Sequence, residues 1–122
     1  MNTGHDGSLS TGHANSTKDM LSRLETMILF GVELPLEAIR QQIASAIDII
    51  IHLGRIRDMS RKTLEIVELS GYKAGDFQLN SLFNFSEDVQ SEHNKVQGKL
   101  KRTGNLLMNT NKLKTAGMKI WK

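Results

Sequence analysis

The chain has 122 residues, enough for one domain, and its 39% hydrophobic fraction suits a small core. It has no cysteine, which excludes disulfides and cysteine-held zinc. It also lacks an apolar run of the roughly 20 residues that span a bilayer, and no signal peptide is expected at its start. The net charge of +3 is uneven: residues 93–122 carry eight Lys/Arg and no Asp/Glu, leaving the rest acidic. Such a tail reads first as a solvated segment and second as a contact for anionic lipid, nucleic acid or an acidic partner.

The first sixteen residues are polar, with glycines at 4, 7 and 12 and histidines at 5 and 13. Residues 1–7 read as loop and Ser8 to His13 as a short strand. Ser16-Thr17-Lys18-Asp19 opens a helix, with Ser16 accepting from the Asp19 backbone and Asp19 answering as in a capping box. Met20, Leu21, Leu24, Met27 and Ile28 form one apolar stripe at helical spacing. Gly31 is expected to stop the helix in the left-handed conformation. Pro35 opens a second helix, whose missing N–H costs nothing there, and Leu36, Ile39, Ile43 and Ile47 supply its apolar face.

The β-branched run Ile47 to Leu53 reads as a strand, followed by a turn at Arg57-Asp58-Met59-Ser60. Lys62 to Ser70 and Phe77 to Phe85 read as two more strands around a turn at Lys73-Ala74-Gly75-Asp76. The three make an antiparallel meander. Ser86 to Gly98 reads as a polar linker and Lys99 to Asn105 as turn. A short helix capped by Asn109 or Thr110 is expected to run to Gly117. The expected division is a folded part at 1–86, with linker and basic tail at 87–122.

No complete enzyme motif is present. A phosphate-cradling loop needs GxxxxGK[ST], and the glycines at 4, 7 and 12 are spaced otherwise; GxGxxG, GxSxG and HExxH are absent too. Zinc held by His5, Asp6 and His13 fails on spacing and ligand type. By spacing alone His13 is a loop histidine.

The run Thr3-Gly4-His5-Asp6-Gly7-Ser8-Leu9-Ser10-Thr11-Gly12-His13-Ala14-Asn15-Ser16 resembles the histidine box of the type II/type IV secretion ATPases. The likeness is closest to the CpaF/TadA-type branch that powers Flp (Tad) pilus assembly. It continues through Asp19 to Glu25, Leu34 to Asp48 and Arg55 to Asp58, and returns at Leu100 to Asn105 and at Lys112-Leu113. Met59 stands where that family usually has glycine, so no tight left-handed turn is expected there.

The resemblance implies an α/β fold: a partial RecA-like P-loop ATPase core, its C-terminal half of strand, two helices and antiparallel meander, ending in a basic tail with a short helix. It implies a hexameric cytoplasmic motor, peripheral to the inner face of the membrane, using ATP and Mg²⁺ to drive pilus assembly or protein export. The Walker A and Walker B segments lie upstream of the histidine box in the family. This chain is therefore expected to be a fragment that holds neither ligand tightly, is inactive alone, and is marginally folded or self-associating.

His13 is then the residue expected near the γ-phosphate, where an imidazole can donate one hydrogen bond while its other nitrogen is held. His5 is the second catalytic candidate, and Thr3, Gly4, Thr11 and Asn15 are expected to support or sense the nucleotide. Arg40, Arg55, Arg57 and Arg61 suit phosphate or a neighbouring subunit, against surface pairs with Glu37, Asp48 or Asp58. His52 reads as structural, and Met20 and Met27 as core. The implied partners are a second copy or full-length ATPase subunits and an inner-membrane platform protein; a non-enzymatic interaction module is the competing reading. Nucleic acid is disfavoured, since the tail interleaves no aromatic residue except Trp121.

Overall fold

A computed structural model describes residues 7–88 and 95–117. Two helices, α1 (Thr17–Gly31) and α2 (Leu36–Ala46), precede four strands: β1 (Ile49–Arg55), β2 (Arg61–Lys73), β3 (Asp76–Glu87) and β4 (Gly98–Arg102). A short helix, α3 (Asn111–Thr115), follows. The strands form one antiparallel sheet in the order β1-β2-β3-β4, each paired with its neighbour in sequence. The α/β class and the meander are as expected, and the meander has a fourth strand.

The local chemistry explains most boundaries. Ser16 caps α1, its hydroxyl accepting from the Asp19 N–H at 3.0 Å. Asp19 answers one residue further out than a capping box would, accepting from the Asn15 N–H at 2.9 Å. No left-handed residue ends α1: Gly31 is its last helical residue and the extended Val32 closes it, donating to the Ile28 carbonyl. Pro35 stands just before α2, where its fixed φ of −56° suits the entry and its carbonyl receives the Ile39 N–H. At β2–β3, Ala74 and Gly75 both have positive φ, the two-residue turn whose twist matches its flanking strands.

Several expected elements move. Ser8 to His13 is irregular chain, because only Leu9 is strongly apolar and it is almost fully exposed. Ile47 ends α2 instead of starting β1. Lys99 to Arg102 is strand instead of turn, and Ser86 and Glu87 belong to β3. The sheet thus crosses the expected boundary at 86–87. Gly98 makes this possible: a Cβ there would collide with the Ser86 carbonyl and the Phe85 ring, so β4 meets β3 where the chain has no side chain.

The core lies between the helix pair and one sheet face. Leu21, Ile39, Ile43 and Leu69 are buried together, with Leu24, Ile28, Ile47, Ile50, Phe77 and Leu79 packed around them. Met20 and Met27 are not core: Met20 is half-buried and Met27 largely exposed, because α1 turns the Leu21/Leu24/Ile28 stripe inward.

The opposite sheet face is covered in part by the segment after β4, tied down by Glu68. This carboxylate is 1% exposed. One oxygen accepts from the Met108 N–H at 2.8 Å and from the Asn80 amide at 3.0 Å, and the other from the Asn109 N–H at 2.8 Å. Burial pushes its pKa up, but the hydrogen bonds outweigh burial and leave it below the usual glutamate value. Thr103 and Asn105 fasten the same segment to β3 by donating to the Ser81 carbonyl at 2.6 and 2.9 Å.

Candidate functional site

The histidine loop sits at the start of α1. Thr11, Gly12 and His13 line a shallow groove with Met20, Leu24 and Met27 of that helix. The Met20 thioether fills the space beside Gly12, 2.7–2.9 Å from where a Cβ would stand. Arg23 also lines the groove, with its guanidinium on Asp19 at 3.1 Å. The Asn15 N–H and Arg23 both bond to Asp19, and these bonds lower its pKa.

The loop's base is fixed to the sheet by Thr17. This residue is buried, and its hydroxyl donates to Glu65 Oε1 on β2 at 2.6 Å. Glu65 lies opposite His52 of β1. His52 is half-buried on this strand pair.

His13 itself is exposed. Among the described residues, no side-chain hydrogen bond joins His13 to Thr11 or Asn15; Asn15 contributes through its backbone. His13 is thus accessible on a loop whose Asn15 N–H is bonded to Asp19 of α1. Thr3, Gly4 and His5 lie outside the described residues. No group of three or more His, Cys, Asp or Glu is close enough to hold a metal ion among the described residues.

The arginines divide. Arg40 pairs with Glu25 at 2.8 Å, not with Glu37, and Glu25 and Tyr72 raise its pKa. Arg57 pairs with Glu87, tying the β1–β2 turn to the end of β3. Arg55 and Arg61 face each other across the hairpin, exposed and without an ion pair among the described residues.

The β1–β2 turn overturns one expectation. Met59 has φ 67°, in the left-handed region, although it is not glycine. Asp58 holds it there. Its Oδ1 accepts from the Ser60 N–H at 2.9 Å and hydroxyl at 2.5 Å, and its Oδ2 from the Val96 N–H at 2.8 Å. These bonds lower the Asp58 pKa to about 2. The turn itself lies where expected; the spacing Asp58-Met59-Ser60 is the signal that could have found its left-handed residue, and nothing local pointed to Val96.

Comparison with known proteins adds a family and relatives. The model of a family described as type II/IV secretion system protein matches residues 1–116. A putative conjugal transfer protein of Mycobacterium tuberculosis is 35% identical over 69 residues, 57% of this chain and 19% of that protein. The conjugal transfer protein TrbB of Rhizobium radiobacter is 29% identical over 87 residues, 71% of this chain and 26% of that protein. The chain thus spans about a fifth to a quarter of these curated relatives. Among the described residues no helix is long and apolar enough to cross a membrane.

Proposed function

We propose, since the chain belongs to the type II/IV secretion system protein family, that it is the C-terminal part of a secretion or conjugation motor ATPase of RecA-like type. In this reading it carries the histidine loop of a nucleotide site whose phosphate-binding loop and Mg²⁺ ligands lie in another part of the protein. The carrying observation is the family match over residues 1–116. The accessible His13, on a loop tied to α1 through Asn15 and Asp19, supports it.

The chemistry follows from that geometry. An exposed imidazole can donate to a terminal phosphate oxygen, and Thr17 on Glu65 keeps the helix beneath it in place. Phosphoryl transfer is catalysed mainly by positioning and charge, so a sensing group without the phosphate cradle is inert. The purified chain is expected neither to bind ATP tightly nor to hydrolyse it; turnover that His13→Ala abolishes would refute this. The finer reading, a hexameric CpaF/TadA-type motor for pilus assembly peripheral to the inner membrane, rests on the motif resemblance at 3–16.

A second reading, a non-enzymatic module that docks on full-length ATPase subunits or a membrane platform protein, is favoured by the exposed apolar side chains Met27, Phe30 and Val32 at the end of α1. Co-purification with a full-length family ATPase, lost in Phe30→Glu, would support it; a fragment that stays monomeric and uncaptured would count against it.

A further inference from the structure

The histidine loop rests on a side chain that oxidation can alter. Among the described residues, no hydrogen bond or ion pair holds Thr11, Gly12 or His13; the first such bond runs from the Asn15 N–H to Asp19. What these three residues do share is the groove they line with Met20, Leu24 and Met27. The Met20 methyl and sulfur stand 2.7 and 2.9 Å from the Cβ position of Gly12. Residues 20, 24 and 27 fall on one face of α1 at four- and three-residue steps. Met20 is half-buried and Met27 is 66% exposed, so small solutes reach the groove. Neither methionine belongs to the buried cluster around Leu21.

We propose that Met20 is an oxidation site that governs this loop: a peroxide converts the thioether to its sulfoxide, and the loop then leaves the helix. The sulfur lone pair attacks one oxygen of hydrogen peroxide. The S–O bond forms as the O–O bond breaks. The proton on the transferred oxygen passes to the departing hydroxide, which leaves as water. Sulfur gives up two electrons and the peroxide takes them. The product is larger and polar where the thioether was apolar and pliable. Its new oxygen sits on the sulfur that already fills the space beside Gly12. The contact it disturbs is van der Waals in kind and made by a few atoms, so hydration of the sulfoxide outweighs it. The Asn15 bond to Asp19 and the Thr17 bond to Glu65 hold the base of the loop in either state, which confines the change to the residues before Asn15. The consequence for catalysis rests on the nucleotide reading of His13; the displacement itself does not.

The test uses the full 122-residue chain with labelled methionine methyls, and hydrogen peroxide as oxidant. In the reduced chain a nuclear Overhauser contact should join the Met20 methyl to the Gly12 α-protons. Peroxide should oxidise Met20, read by peptide mass mapping, and abolish that contact. The backbone order parameters of Gly12 and His13 should fall from about 0.8 to below about 0.6, while β2–β3 amides keep their exchange protection. Methionine sulfoxide reductases A and B together should restore both readings. Met20→Leu keeps an apolar side chain of similar volume. Its loop order should be unchanged by the same peroxide, although Met27, Met59 and Met108, each 66% exposed, are oxidised in it. Met20→Gln should loosen the loop without oxidant. An absent Met20–Gly12 contact in the reduced chain, a Met20 that stays reduced when Met27 is fully oxidised, or unchanged loop order once Met20 is oxidised would overturn the proposal. So would equal loosening in peroxide-treated Met20→Leu. None of these readings involves a nucleotide, so the loop proposal and the nucleotide reading can each fail alone.

Discussion

Replacing Glu68 with glutamine removes the charge without changing the size of the side chain. The native carboxylate receives three N–H groups on two oxygens. A glutamine has one acceptor oxygen. If it faces Met108 and Asn80, its amide opposes the Asn109 N–H, donor against donor. Asn80 cannot rotate its amide to help without losing its 2.8 Å bond to the Leu106 carbonyl. Losing one charge-assisted bond and stranding a buried donor costs about 2–4 kcal/mol, with the lower end applying if the 105–110 segment lifts off instead of the sheet unfolding. Amide exchange separates the two outcomes: the Met108 and Asn109 amides should exchange about 30- to 100-fold faster in Glu68→Gln, while β2–β3 amides stay protected. The pH dependence has a definite sign. The native carboxyl lies below its ordinary value of 4.5, so its stabilisation is complete above that value and fades as pH falls through the lower native one. The urea midpoints of wild type and Glu68→Gln should therefore converge in acid. Equal midpoints at neutral pH with unchanged exchange at Met108 and Asn109 would refute this account of Glu68.

Met59→Gly should stabilise the chain by about 0.5–1 kcal/mol, the relief of a left-handed side chain less the entropy of glycine, read as a higher urea midpoint. Leu69→Ala removes a side chain 1% exposed at the helix–sheet junction and should cost about 3–4 kcal/mol. His13→Ala should leave stability within about 0.5 kcal/mol of wild type, since the ring is exposed; a larger loss in thermal or urea unfolding would mean that the ring packs against the fold.

Patterns that depend on near neighbours were legible in the sequence. The Ser16 cap, the Leu21/Leu24/Ile28 stripe, Pro35 and the Ala74-Gly75 turn each act within a few residues, and each lies within a residue or so of its expected place. Features that depend on distant chain were not. Nothing around Lys99 says strand: β4 exists because β3 offers an edge and Gly98 allows close approach. Glu68, between Val67 and Leu69, is buried because residues forty positions later fold over it, and nothing beside it in the sequence marks that. Met59 runs against its own backbone preference because Asp58 bonds both ways. The candidate site divides in the same manner. The loop's attachment to α1 was visible in Ser16 and Asp19, whereas the Thr17–Glu65 link joins residues 48 apart in sequence.

The nearest-neighbour order of the sheet has a kinetic meaning. Among the described residues each strand pairs only with the strand next to it in the chain, so none of these pairings waits for a long loop to close. Such local topologies fold faster than those with distant pairings. The tight Ala74-Gly75 turn supplies a starting point from which the ladder can grow outward in both directions. The ladder's hydrogen bonds run between residues 49 and 102, so the sheet can zip up in the order in which its strands leave the ribosome.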